Sequence, residues 1–304
     1  MGEAGGMKTV PTLRLLTGPT ASGKTEAALR WAESCGGEIL SCDSVCIYRG
    51  LNIGSAKPSA AEQARAPHHG IDLAEPAERY SVAAYVTYAR GIIDSAIARG
   101  KPLMVTGGSG FYLAAFFGPV ADALEIPEAA STEAKELQNR GVEFLRKRLE
   151  ALEGGKLPAW LDVDNPIRLT KALERRLASG RPLDELRDDF LGKPGPFADL
   201  KFEAEVIDRP DPELRTRIAT RTRAMLAGGL IEEATWLLSL KLDDTLPAAR
   251  AVGYRETLDW LREGQKQPLE TLAQTIDLNT WGLVGKQRKW FRRLGLSAPL
   301  NRVK

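Results

Sequence analysis

Leu13-Arg14-Leu15-Leu16-Thr17-Gly18-Pro19-Thr20-Ala21-Ser22-Gly23-Lys24-Thr25 joins a short apolar run to a loop of the form G-x-x-x-x-G-K-[ST]. The run reads as a buried strand, and Lys24 to Glu33, with Ala27, Ala28, Leu29, Trp31 and Ala32, reads as the helix after it. Strand, loop and helix are the context in which this motif has a mechanism. Its glycines let the backbone curl until several N–H groups face a polyphosphate or pyrophosphate at the positive end of a helix dipole. Lys24 adds a point charge, and the Thr25 hydroxyl is a natural Mg2+ ligand.

Outward from this loop, Glu38 to Ser41 reads as a second strand. Ser81 to Ala98 carries apolar residues at helical spacing, and Leu103-Met104-Val105-Thr106 is a third strand closed by Gly107-Gly108. The alternation predicts an α/β fold, a P-loop NTPase-like parallel sheet flanked by helices. After Pro119 the composition changes. From Ser131 to Asp189 the chain is charged, helical in period and strand-poor, with breaks at Gly154-Gly155, Pro158, Pro166 and Gly180-Arg181-Pro182. An all-helical insert over residues 121–194 is expected, within a core of residues 1–120 and 195–304. Phe202 to Ile207 reads as a return strand, followed by helices over Pro212–Ala227, Ile231–Leu240, Gly253–Leu261 and Leu269–Leu294.

The 304 residues are 43% hydrophobic and 27% charged, which excludes a disordered chain. Lys and Arg total 42 against 40 acids, so a wholesale polycation is excluded and a local basic face is not. The longest apolar stretch, Phe111 to Phe117, falls far short of the ~20 residues of a membrane span. Met1 to Val10 has no apolar segment behind a basic start, so no secretory leader is expected and the chain reads as cytoplasmic. Cys35, Cys42 and Cys46 form no CxxC pair, and the two histidines are adjacent, which argues against both a disulfide framework and a zinc site.

P-loop ATPases carry an acid at the end of a second strand to hold Mg2+. Here Leu103–Thr106 runs into Gly-Gly-Ser, with no carboxylate and nothing to activate a water, although a small-metabolite kinase stays compatible. The second strand runs into Ser41-Cys42-Asp43-Ser44-Val45-Cys46-Ile47-Tyr48-Arg49-Gly50, then Asn52-Ile53-Gly54-Ser55-Ala56-Lys57-Pro58. In a doubly wound sheet the carboxyl end of a strand next to the P-loop strand faces the ligand crevice, which would aim Asp43 at whatever the phosphate is attached to. An isolated Asp-Ser would serve equally well as a helix cap or a surface turn.

These segments are not isolated. Together with Pro67-His68-His69, Tyr80-Ser81-Val82, Gly107-Gly108-Ser109, Asn165-Pro166-Ile167-Arg168-Leu169, Arg217-Ile218 with Arg221, Gly229-Leu230-Ile231-Glu232-Glu233, Val252-Gly253-Tyr254-Arg255 and Lys286-Gln287 with Trp290-Phe291-Arg292, the chain resembles the tRNA dimethylallyltransferases. The likeness runs in order from Leu13 to Arg293. It implies transfer of a five-carbon group from dimethylallyl diphosphate to N6 of the adenosine immediately 3′ of the anticodon in tRNA, with release of diphosphate and dependence on Mg2+. It implies a catalytic set of Asp43 as general base, Lys24 and Thr25, with Thr25 as metal ligand. Gly18, Pro19, Thr20, Ala21, Ser22, Gly23, Lys24, Thr25 and Arg221 would hold the diphosphate. Asp43, Ser44, Val45, Cys46, Ser109, Ile167, Arg168, Leu169, Thr170, Lys171, Arg250, Gly253, Tyr254, Arg255, Lys286, Gln287, Arg288, Lys289 and Arg292 would lie against tRNA. The partners expected are thus the anticodon stem-loop and the donor, with no membrane, for a monomeric enzyme.

The chemistry suits the residues. An exocyclic adenine amine is a weak nucleophile, and a carboxylate within hydrogen-bond reach restores its nucleophilicity as the C–N bond forms. The allylic carbon delocalises positive charge, so the protein must stabilise charge on the departing diphosphate. No water needs activating, which accounts for the missing strand-end acid. Arg217 and Arg221 stand at i, i+4 on one helix face, and a guanidinium fork suits phosphate oxygens. From Leu278 to Lys304 there are seven basic residues and no acid, with Trp281 and Trp290 interleaved. Basic residues and aromatics suit RNA phosphates and unpaired bases, but Trp290 reads as core rather than as a stacking surface. The target base is expected to flip into a pocket between Asp43 and Ser109.

The chain departs from the family pattern at Val284-Gly285-Lys286-Gln287, where Ala-Lys-Arg-Gln is usual, at Asn52 and Ser55, at Ser109, and near Ala130, where a basic residue is often found. Hydroxyls persist at Ser55 and Ser109, so RNA affinity rather than chemistry is where a difference is expected. Two other readings stay open at this point: the small-metabolite kinase, and a family member that binds tRNA without catalysis.

Overall fold

The computed structural model describes residues 11–120 and 124–296. Met1–Val10, where no leader is expected, and Arg302 and Lys304 of the basic tail lie outside them. The described chain divides into two compact units, residues 1–117 with 196–304, and residues 118–195.

The first unit opens with β1 (Thr12–Thr17), α1 (Lys24–Cys35), β2 (Glu38–Ser41), α2 (Ala60–Arg65), β3 (His68–His69), α3 (Val82–Ala98), β4 (Leu103–Gly107) and α4 (Gly110–Ala114). Leu13, Leu15, Leu16, Ile39, Leu40, Leu103 and Val105 are all buried, as expected of strands covered on both faces. The five strands are parallel in the order β3-β2-β4-β1-β5, where β5 is Lys201–Val206. Register sets Leu15 against Val105, Thr17 against Gly107 and Ser41 against Thr106. On one face Leu16, Ile39 and Met104 pack with Ala28, Leu29 and Ala32 of α1.

One expectation is corrected here. β2 is not next to the P-loop strand: β4 lies between them. Two short elements, α2 and β3, also escape a periodicity reading. β3 is two residues long, and its place is set by pairing with Ile39 and Leu40 rather than by any pattern of its own. The capping box of Ser59 and Glu62 starts α2.

The second unit holds four helices, α5 (Glu128–Arg140), α6 (Val142–Leu152), α7 (Pro166–Ser179) and α8 (Leu183–Leu191). Asn165 caps α7 by accepting from the amides of Ile167 and Arg168, with Pro166 at the first helical position. Ala134, Leu145, Leu149, Leu169, Leu173 and Leu183 form a core of their own. The ion pair of Arg176 with Glu153, 2.7 Å long and nearly buried, ties α7 to the end of α6.

After β5 the first unit continues through α9 (Asp211–Ala227), α10 (Leu230–Ser239), α11 (Pro247–Arg250), α12 (Tyr254–Arg262) and α13 (Leu269–Arg293). α13 and α9 share the buried contacts of Leu214, Ile218 and Val284. None of the described helices is long and apolar enough to cross a membrane.

Because the insert has its own core, Leu173→Ala should destabilise it by about 2–5 kcal/mol. Hydrogen exchange is expected to show lost protection across 128–191 with the amides of β1, β2 and β4 unchanged. Equal loss in both units would contradict a separate core.

Candidate active site

β1 delivers the chain to Gly18, where an added Cβ would stand 2.0 Å from the carbonyl oxygen of Ile207, so only glycine permits this approach to the end of β5. Gly23 at the start of α1 has φ of 103°, in the left-handed region that glycine adopts without penalty. Ala21 also has positive φ. The loop's carbonyls are held from outside by cations. Lys24 Nζ donates to the oxygens of Gly18 and Pro19, both at 2.8 Å, Arg217 Nε to Ala21 O at 2.7 Å, and Arg209 Nε to Ser22 O at 2.7 Å. The first amides of α1 have no partner within the helix and, with the helix dipole, favour an anion.

Beyond β2 the buried Cys42 donates its amide to Thr106 O at 2.7 Å, and buried Tyr85 donates its hydroxyl to Ser41 O at 3.1 Å. These bonds fix the strand end that carries Asp43. Asp43 Oδ1 accepts the amides of Val45 at 2.8 Å and Cys46 at 3.3 Å. Among the described residues Oδ2 has no partner, and Asp43 lines the same cavity as Lys24 and Thr25. Ser109 Oγ accepts the Ser44 amide at 2.9 Å and lies 3.1 Å from Ser44 Oγ.

The interposed β4 makes this cavity. β2 and β1, which lead to Asp43 and to the P-loop, lie two strand spacings apart, about 10 Å. Between them β4 ends at Gly107, with Gly108 next, where no side chain projects into the gap; a Cβ on Gly107 would stand 2.1 Å from Cys42 O. The resulting cavity of about 570 Å³ runs from the P-loop to Asp43, Arg221, Ile39 and His68. Burial pulls Lys24 down to about 8, with the positive Arg221 adding to the shift and Asp43 and Asp208 opposing it. The same burial pushes the thiols of Cys42 and Cys46 well up, so both stay protonated, as filler rather than ligands. No cluster of three or more His, Cys, Asp or Glu side chains that could hold a metal exists among the described residues.

The structure brings Thr20, Ala21, Gly23, Lys24, Thr25, Asp43, Cys46 and Arg221 onto this one cavity. The amide of Thr20, however, donates to Gln287 Oε1 at 2.9 Å, leaving the side chain as that residue's open group. Ser22 is fully buried and its hydroxyl has no partner. The residues expected against tRNA divide. Arg250, Arg255, Lys286, Lys289 and Arg292 in the first unit, and Ile167, Arg168 and Lys171 in the second, are exposed, and Ser44, Val45 and Ser109 are half-buried.

The others are placed differently. Leu169 belongs to the insert core, and the Thr170 hydroxyl donates to Pro166 O. Gly253 is buried, the Tyr254 hydroxyl donates to Glu233, and Gln287 is 7% exposed. Arg288 is half-buried and holds Asp208 and Asp211 at 2.7 Å each. Leu169, Thr170, Tyr254 and Gln287 lie on the inward side of their helices, whose period of about 3.6 residues carries Arg168, Lys171, Arg255, Lys286 and Lys289 to the outer side. The sequence reading gave no site role to Arg209, Thr106 or His68; Thr106 and His68 stand in segments it quoted, and no local pattern marks Arg209. Arg217, on the same helix face as Arg221, is a loop anchor.

Two family profiles match the chain: IPP transferase over residues 46–294 and isopentenyl transferase over residues 11–67. The chain is 50% identical to the tRNA dimethylallyltransferase of Opitutus terrae over 93% of its own length and 90% of that protein. It is 29% identical to a tRNA isopentenylpyrophosphate transferase structure from Bacillus halodurans, with a TM-score of 0.65, covering 95% of this chain and 89% of that one. A eukaryotic dimethylallyltransferase structure shares the fold with a TM-score of 0.77 at 20% identity, covering 92% of this chain and 70% of that one.

The lowered Lys24 yields a test of sign. An anion needs the protonated ammonium, so affinity for inorganic pyrophosphate should fall as pH rises through about 8. Lys24→Arg stays charged throughout. By calorimetric titration, the ratio of wild-type to Lys24→Arg affinity should be flat below pH 7 and drop by up to about tenfold per pH unit above 8, the limit for loss of one proton. A ratio constant to pH 9.5 would contradict it.

Proposed function

The chain belongs to the IPP transferase family, and as a tRNA dimethylallyltransferase we propose that it works through Asp43 and the P-loop facing each other across the glycine end of β4. That juxtaposition on one cavity carries the reading. The P-loop takes the diphosphate of dimethylallyl diphosphate, with Lys24 and Arg221 as cations and the amides at the start of α1 as donors. The target adenine enters beside Asp43, and its base leaves the loop stack to do so, because N6 in a stacked loop is out of reach of the carboxylate.

The transfer balances simply. The bond between the allylic C1 and the bridging oxygen breaks, and its electron pair leaves with the diphosphate. N6 of adenine forms the new bond to C1, and its proton passes to Asp43 Oδ2, the oxygen left without a partner. Oδ1 is held by the amides of Val45 and Cys46, so the carboxylate is oriented before substrate arrives. Ser109 and Ser44 hold the turn that carries it.

Mg2+ fits the residues present. Thr25 is exposed on the cavity wall, and its hydroxyl has no partner among the described residues. With no acidic cluster among the described residues, the Thr25 hydroxyl would be the protein's own ligand to a hard cation held with the donor. When bound, it would neutralise charge gathering on the leaving group. The exposed cations Lys286, Lys289 and Arg292 of α13, with Arg250 and Arg255, supply salt-sensitive contacts to the anticodon stem-loop. Arg168 and Lys171 supply such contacts from the insert.

Labelled dimethylallyl diphosphate and unmodified tRNA test the whole reading. Wild-type protein should incorporate label at N6 only when Mg2+ is present. Asp43→Asn should lower the single-turnover rate by roughly 10²–10⁴-fold with donor affinity kept within a few-fold. An unchanged rate in Asp43→Asn would remove it as the base. Phosphate transfer from ATP without prenylation would return the kinase reading.

A further inference from the structure

Gln287 stands on α13 with its carboxamide buried between the two loops of the active site. Its Oε1 accepts the Thr20 amide of the P-loop at 2.9 Å, and its Nε2 donates to Gly108 O at 3.1 Å. Partners 267 and 179 residues away are thereby joined through one side chain. The neighbouring backbone is built for it. A Cβ on Gly108 would stand 2.5 Å from Nε2, so only glycine admits the carboxamide at that distance.

The connection continues toward the base. Gly108 precedes Ser109, whose Oγ accepts the Ser44 amide, and Ser44 follows Asp43. A path of hydrogen bonds and single peptide links therefore runs from the loop of the leaving group, through Gln287, to the carboxylate.

Resting on the function proposed above, we infer that Gln287 is a positioning residue that fixes the separation of the P-loop from the Asp43 turn. The need follows from the sheet. Strand pairing sets register only as far as Thr17, Ser41 and Gly107, and both functional loops lie beyond those ends. A primary amide of this length is well suited to the task, because one end must accept and the other donate. Glutamate cannot donate to Gly108 O, and asparagine is one methylene short. The helix is itself anchored at the next residue, where Arg288 bridges Asp208 and Asp211. Gln287 thus projects from a fixed support.

A residue that sets the distance between reacting groups acts on the chemical step rather than on binding either substrate. Gln287→Met keeps the volume and removes both bonds. It should lower the single-turnover rate about 10–100-fold, with donor KM and tRNA affinity within threefold of wild type. Gly108→Ala, which displaces the carboxamide from the other side, should give the same split.

A double-mutant cycle separates positioning from general support. In an Asp43→Asn background Gln287→Met should cost threefold or less, because the base it aligns is gone. An equal loss in both backgrounds, or a loss carried in KM or tRNA affinity, would overturn the inference. So would an unchanged rate in a folded Gln287→Met. Absence of prenyl transfer by the wild-type protein would instead overturn the underlying function.

Discussion

The insertion of β4 between β2 and β1 is the constraint on which the site depends. Were the two functional strands adjacent, Asp43 and the P-loop would stand about 5 Å apart, too close for a five-carbon group and an adenine between them. Separated by a strand ending in bulky side chains, they would face a wall. A spacer strand that ends at Gly107 and runs on into Gly108 gives separation with open space above it. The same glycines let Cys42 O and the Gln287 carboxamide approach within distances that a Cβ would forbid.

Electrostatics completes what the sheet positions. Arg209, Arg217 and Lys24 bind carbonyl oxygens of the P-loop, which leaves the loop's amide side for an anion. Buried cations without full counter-charges are costly, and the lowered Lys24 is the local sign of that cost. A diphosphate offsets it, and more so as its bond to carbon breaks and negative charge grows. On the function proposed above, the arrangement would favour the leaving group over the intact donor, which is the differential binding that catalysis requires.

What was legible in the sequence follows from what is local. The P-loop is a contiguous segment whose geometry depends on its own glycines, and strands buried on both faces are apolar runs. The insert's helices carry their own caps and period. Sheet order is not local: nothing between Leu13 and Ser41 tells that a strand beginning at Leu103 will come between them. Arg209 looks like an ordinary loop cation and Arg217 like an ordinary helix cation until the loop they face is known. Gln287 did leave a signal. Thr280, Val284, Gln287 and Phe291 are all buried, at the spacing of one helix face, so a polar side chain stands in an inward stripe. A buried carboxamide of this kind must find partners.

Most of the residues that family likeness sets against RNA fall in three segments, Ile167–Lys171, Arg250–Arg255 and Lys286–Arg292. A helix of about 3.6 residues per turn cannot present a run of five or more consecutive residues to one partner, and each segment divides by its period. On α7, Ile167, Arg168 and Lys171 face out while Leu169 enters the insert core. Near α12, Arg250 and Arg255 are exposed while the Tyr254 hydroxyl meets Glu233, a carboxylate that also accepts the amides of Asn52, Ile53 and Gly54. On α13, Lys286, Lys289 and Arg292 face out while Gln287 grips the catalytic loops. In each segment the outward cations and the inward anchors are rigidly joined by one turn of backbone. On the function proposed above, a cation of α13 could not be drawn toward phosphate without loading Gln287 beneath it, so at this helix the frame that positions the chemistry would also be the frame that meets RNA.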